Sequence, residues 1–517
     1  MPAELPAVAA GPTIHDHLRR NLDESGRLTD PSLPDDAAVQ ARSRLPWAPG
    51  AQDGVFVHHA SGSGGEDHAA DLTALLVAAA VEPSPQRLRD LYEHAVRVEV
   101  LHAIDDVIDR LKDAGANPGA IHALARWLVT TAADRGPVKV GIALLGATGL
   151  GDLLDVVRTL GAHDEFTLYA AVAVSNALPD PERELWALAK AVDGWGRVHC
   201  VERLRDTTDP AIRGWILREG FRTSVMDQYL AHIAATTGGL LEALRSPQVY
   251  REVLTAAGAI FQALFDIGGP AQDISHYTDA AAAIEAYLTH MALQATSLTD
   301  LVALADIHSF LTDDYWWDDP HANGWTPRRR QACLDRATEL IADPRWTRPV
   351  EDGLDSLDPD EFSLADKAAR AREIDTFTQH LRWIERDPFG AWWYTAWLQA
   401  DPTRAEQLIT LAGNLLPLDD IGTGPADELG LGQQWRAHNA LQWTIQALQG
   451  HPGHGADLLI TALRGPVVGN RTSALSTVAT WPPDTWSDDL RAELATVAAT
   501  DPSDTLREKA TTLLATT

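Results

Sequence analysis

The densest run of reactive side chains in this sequence is Trp195-Gly-Arg197-Val-His199-Cys200-Val-Glu202-Arg203. On a helix, His199 and Glu202 lie one turn apart, and Arg197 is close enough to pair with Glu202. As a site, Trp195, Arg197, His199 and Glu202 would form a polar patch that accepts an anionic group. As architecture, they would be a ladder that aligns successive helices, and the pattern favours the ladder. A second run, Glu99-Val-Leu-His102-Ala-Ile-Asp105-Asp-Val-Ile-Asp109, offers metal chemistry. Glu99 and His102 make a Glu-x-x-His pair of the kind used in carboxylate-bridged di-iron sites, and its mate here is the reversed His199-Cys-Val-Glu202. Asp105 and Asp109 fit a DDxxD pattern able to bind Mg²⁺ and a diphosphate, with both carboxylates on one helical face. The first pattern lacks a matching pair and the second lacks its Asn…Ser…Glu partner. The plainer assignment is therefore a solvated helix face opposite Ile104, Ile108 and Leu111, with no metal and no cofactor. His58-His59 beside Phe56 reads as a loop pair, because no further ligand follows at close spacing.

Aromatic residues supply the other candidates. Seventeen Trp against nine Phe and eight Tyr is an unusual balance, and tryptophan is enriched where proteins bind one another. The stretch Thr312–Trp325 is acidic, aromatic and rich in helix breakers, which sets Tyr315, Trp316, Trp317 and Trp325 apart as binding residues. Its charge suits a cationic or basic-peptide partner. Trp392, Trp393 and Trp397 are helical neighbours, and core filling is the better assignment for Trp397 and Trp443. Thr326-Pro-Arg-Arg-Arg330 reads as a capped helix start whose arginines neutralise the acidic insert.

The elements that must position these groups are helices. From about residue 70 apolar residues recur at helical spacing, as in Leu101, Ile104, Ile108 and Leu111, and strand signatures are nearly absent. Breaks recur at Gly, Pro or Asp-Pro, including Asp180-Pro181, Asp209-Pro210, Asp343-Pro344, Asp387-Pro388, Asp401-Pro402 and Asp501-Pro502. Asp as N-cap with Pro at the first helical position marks a helix start. Leu145, Val174 and Leu204 recur at 29 and 30 residues, and Arg436, Arg471 and Arg507 at 35 and 36, each arginine opening an apolar helix. One helical pair cannot bury its apolar face alone, so such units stack. The expected fold is all-α, a HEAT-like α-solenoid of helical hairpin repeats. Residues 1–70 form an irregular N-terminal segment with a Gly/Ser joint at 61–65, a short helix near His15–Leu22 and a turn before Val55-Phe-Val57. Residues 71–311 and 331–517 form the two halves of the array, separated by the insert at 312–330.

Composition narrows the function. The 517 residues carry 42 Lys+Arg against 73 Asp+Glu, a net charge of −31. Such a chain repels phosphate backbones and anionic lipid, which argues against nucleic acid and membrane surfaces as partners. Apolar stretches such as Val140–Gly151 and Leu254–Phe265 fall short of the ~20 residues of a spanning helix. Two cysteines, Cys200 and Cys333, suit a reducing cytoplasm.

Four strings carry a resemblance: WAPGAQDGVFVHH (47–59), WGRVHCVERL (195–204), PLDDIGTGPADELGLG (417–432) and RGPVVGNR followed by SALSTVATW (473–481). Together they resemble a bacterial family of HEAT-like proteins that often carry the legacy label "limonene hydroxylase". The resemblance implies an α-helical repeat fold, and the label implies a hydroxylase acting on an apolar isoprenoid. Hydroxylating an unactivated C–H bond requires an oxygen-activating cofactor. Neither cysteine sits in a haem-thiolate loop, and no GxGxxG follows a strand. The leading expectation is thus a cytoplasmic, non-catalytic repeat protein that recognises a protein partner through its concave face or the aromatic insert. The alternative is an all-helical, metal-dependent enzyme for a small apolar or isoprenoid substrate.

Overall fold

The computed structural model describes residues 11–42, 47–59, 66–269, 271–314, 317 and 322–515. Among them every regular element is helical, and β pairing is confined to isolated bridges between Leu22 and Leu28 and between Glu428 and Val467. The chain forms two compact units, Met1–Asp343 and Pro344–Thr517. The division therefore falls one helix beyond the 312–330 insert, because the helix Pro327–Ala342 packs back on Leu298–Thr312 and stays with the first unit.

In the first unit, eight helices form one layer, each packed on the next. They are Glu66–Val81, Val100–Asp113, Arg135–Thr148, Asp164–Ala177, Trp195–Arg203, Gln228–Thr236, Arg251–Leu264 and Leu298–Thr312. Intervening helices such as Pro118–Thr131, Leu154–Gly161 and Glu182–Ala191 fold back to make the second layer. This is the hairpin stacking of an α-solenoid. Leu145, Val174 and Leu204 close three consecutive helices of the first layer, and all three are buried. The repeat of about thirty residues is thus one step along the stack.

The second unit uses the same rule. Helices Arg436–Ala447, Val468–Thr480 and Asp504–Ala515 pack in succession, with Leu418–Ile421, Ala456–Leu463 and Asp488–Thr500 as the facing row. Arg471 lies in the first turn of the middle helix, fully buried. Its Nε donates to Asp501 at 2.8 Å, and its Nη1 donates to the carbonyls of Ala426, Gly465 and Pro466. One guanidinium therefore joins two successive repeats.

Caps follow the sequence in part. Asp209 and Asp401 accept from backbone amides of the helices they precede, each with Pro at the first position. Asp387-Pro388 instead leads into a turn, and Asp501 closes a helix while its carboxylate serves Arg471. A buried ion pair outweighs a cap there.

The N-terminal segment departs most from expectation. Its described residues form α1 (Ile14–Arg20), α2 (Asp36–Arg42) and α3 (Ala51–His59). Val55-Phe-Val57 lies inside α3 and does not form an extended run. α1 buries Ile14 and Leu18 against Pro118–Thr131 and Leu154–Gly161. From there the chain crosses the array as a strap. Arg27 donates to the carbonyl of Lys190, His163 bonds the carbonyl of Pro31, and Arg135 reaches Asp35 and Asp36. The Gly/Ser joint at 61–65 lies outside the described residues.

Candidate functional site

α3 is held in place by charge below and rings above. Lys139 Nζ sits 2.7 Å from both Asp53 and Glu165. Glu165 also accepts from the Gly50 N–H at 3.0 Å and faces Arg135 at 3.7 Å. The paired carboxylates keep the buried Lys139 ammonium charged, its pKa shifted upward against its desolvation. Two glycines admit this approach. Gly50 has φ +70°, and a Cβ there would lie 2.5 Å from the Asp164 carbonyl oxygen. A Cβ at Gly54 would lie 2.2 Å from the Trp195 ring. α3 thus rests directly on the indole.

The far end of α3 completes a cluster of rings with the helices Trp195–Arg203 and Gln228–Thr236. His58 stacks on Trp195 at 5.3 Å between ring centres and on His199 at 5.7 Å with the planes 15° apart. His59 Nε2 lies 2.5 Å from the Tyr229 hydroxyl, and Tyr229 packs on Trp195 at 5.0 Å. Glu202, one turn beyond His199, brings a carboxylate oxygen to 3.9 Å from His58 Nε2. One ligand atom each from His58, His199 and Glu202 lies within 4.8 Å of the other two.

Burial sets the protonation here. His199 is 2 % exposed, and burial, aided by the positive Arg203, pushes its pKa down to about 3, so the ring is neutral. Burial also lowers His58 and raises Glu202. The Nε2 atoms of His58 and His199 are both buried without a hydrogen-bond partner. The Cys200 thiol is pushed up to about 12 by complete burial, so it is not a nucleophile.

The residues of the 195–203 run therefore divide. Trp195 is a wall for α3. Arg197 does not pair with Glu202. Its guanidinium donates to the carbonyls of Ala189, Val192 and Arg222, with Asp193 at 3.4 Å, which is the ladder role. His199 and Glu202 turn toward His58. Helical spacing does not reveal His58, because its partners come from a distant repeat, and the adjacent histidines at 58 and 59 are its local sign.

The other metal candidates do not converge. Asp105 and Asp109 are solvent-exposed, Asp109 pairing with Lys112 at 2.9 Å. Glu99 is exposed at the start of its helix and accepts from Gln52, whereas His102 packs edge-on against Phe56 at 5.0 Å. Trp392, Trp393 and Trp397 serve the core of the second unit, with Trp393 fully buried and donating to the Pro388 carbonyl.

At the insert, Trp325 is 5 % exposed and packs edge-on to Trp317 at 5.2 Å. Trp317 lies in the wall of an open cleft of about 450 Å³, with Leu311, Asp314, Arg330 and Leu334 among its other walls. The Arg330 guanidinium lies over the Trp317 ring at 4.2 Å, and it also donates to the Leu311 carbonyl and to Asp314. Thr326 caps the following helix as the sequence implies. Tyr315 and Trp316 lie outside the described residues.

No family model and no curated protein matches this chain. Among solved structures it is similar to a chain in a homology model of the full-length AP-3 complex in an intermediate open conformation. That match has 11 % identity and a TM-score of 0.28, over 93 % of this chain and 96 % of that one. No helix among the described residues is long and apolar enough to cross a membrane.

Proposed function

We propose that this protein is a helical-repeat scaffold that binds a protein partner, and that the cleft beside Trp317 is where a segment of that partner docks. The observation that carries this reading is the cleft itself, placed at the one stretch where the acidic, aromatic insert interrupts the repeats. Its wall pairs an indole with a flat guanidinium, and the Asp314 side chain stands 94 % exposed beside them. An aromatic wall beside a solvent-exposed carboxylate suits a basic side chain flanked by apolar ones. Arg330 is already paired by Asp314 and Leu311, so it shapes the cleft more than it repels a cation.

The test is recovery of partners from native lysate with wild type and Trp317→Ala, followed by titration of the purified partner against both. A hot-spot tryptophan is worth about 2 kcal/mol or more, so affinity should fall ~30-fold. Equal recovery of every partner by both proteins would remove the cleft from consideration.

A further inference from the structure

We infer that His58, His199 and Glu202 form a binding site for one divalent first-row transition ion of the Zn²⁺ type, and that the ion clamps the N-terminal strap onto the repeat array. This goes beyond partner binding and rests on different residues. Three ligand atoms lie within 4.8 Å of one another, two of them imidazole nitrogens and one a carboxylate oxygen. That donor set suits Zn²⁺, Co²⁺ or Fe²⁺ and is a poor match for Ca²⁺ or Mg²⁺. Zn–N and Zn–O bonds of ~2.0–2.1 Å place tetrahedral ligands a little over 3 Å apart. The ligand atoms need to close by up to about 1.5 Å, with the stacked His58 and His199 rings turning about their χ angles to aim at one point.

A second, independent observation points to a ligand. His199 is 2 % exposed, and its Nε2, like that of His58, is buried with no hydrogen-bond partner. A buried nitrogen left unpaired costs about 1–3 kcal/mol, and this cluster holds two of them. A cation would satisfy both lone pairs at once. Trp195 and Tyr229 pack against the His58 ring and leave the position only partly open to solvent, which strengthens binding to the ligands. Arg203, the nearest cation on this helix, has its guanidinium engaged by the His199 carbonyl. With three protein ligands, a further coordination position remains for water.

The ligands come from both sides of one interface. His58 belongs to the strap, and His199 and Glu202 belong to the array. Full-length protein without a histidine tag should take up one equivalent of Zn²⁺ after dialysis. Co²⁺ should give a visible d–d spectrum that Zn²⁺ abolishes. His58→Ala lies on the strap and leaves the array intact, and Glu202→Gln changes only one oxygen. Each should weaken Zn²⁺ binding by about 100-fold or more, since even loss of a supporting contact costs 10–100-fold. Zn²⁺ should also slow proteolysis within residues 47–59 in wild type and not in His199→Gln. Uptake well below one equivalent, unchanged affinity in His58→Ala, or equal proteolysis with and without Zn²⁺ would each overturn the proposal.

Discussion

Replacing Lys139 with Met tests what fixes α3 to the array. Met keeps most of the methylene volume and removes the charge. The ammonium lies 2.7 Å from Asp53 and from Glu165, and all three side chains are about nine-tenths buried. Glu165 retains the Gly50 amide and Arg135 at 3.7 Å, so Asp53, left with only the neighbouring Tyr169 hydroxyl, is the less compensated group. Breaking a buried pair by removing one partner costs about 3–5 kcal/mol. With one of the two carboxylates still supported, we expect the low end, about 3 kcal/mol. Two compact units make a single global unfolding energy ill defined, so the measurement should be local. Hydrogen exchange of peptides from 47–59 should speed up by about 100-fold, the equivalent of 3 kcal/mol at ~1.4 kcal/mol per decade. The double variant Lys139→Met/Asp53→Leu should exchange more slowly than Lys139→Met alone, because no charge is then stranded. Exchange within threefold of wild type in Lys139→Met, or a double variant worse than either single one, would refute the assignment.

Two further outcomes follow from the same physics. Burial, with the Asp193 carboxylate adding to it, raises Asp164 to about 6 from an ordinary 3.8, despite the opposing Gly196 N–H. The folded form therefore holds this proton to higher pH than the unfolded chain, and stability from this group is full below pH ~4 and lost as pH rises through about 6. Asp164→Asn should match wild type near pH 4 and exceed it by up to about 3 kcal/mol above pH 7. Parallel melting-temperature profiles between pH 4 and 8 would contradict this. In the second unit, Arg471→Met strands the buried Asp501 and three carbonyls, so exchange in 504–515 should accelerate by a factor reflecting about 4 kcal/mol. A change under 1 kcal/mol would show the pair to be dispensable.

The array was legible because its signals are local. Spacing of apolar residues gave the helices, and Leu145, Val174 and Leu204 gave the step along the stack, since each repeat meets its neighbour in the same way. Asp-Pro dipeptides were a weaker guide, because the carboxylate of Asp501 had a stronger use elsewhere. The strap was not legible. α3 carries little apolar contrast between its faces, and Gly54 within it lowers helix propensity, yet that glycine is what lets the helix lie on Trp195. The site was half visible. His199 and Glu202 stood out by helical spacing, but nothing near His58 announces a partner contributed by a repeat far along the chain. Arg197 takes the ladder role that the spacing favours, but through carbonyls of Ala189, Val192 and Arg222 that no side-chain pattern reveals, and not through Glu202.

The strap also changes how the first unit should come apart. Stacked repeats touch only their neighbours, so they tend to melt piecemeal from an end, like a row of weakly coupled beads. Here bonds join residues 86, 100, 115 and 170 positions apart, through Asp53, Asp35, Gly50 and His59. Those long loops must close before the strap seats, which slows assembly and raises its topological complexity. Once closed, they couple distant repeats, so opening any of the tied hairpins requires releasing the same few contacts. The early residues thus act as a drawstring, turning a modular stack into a body that yields all together.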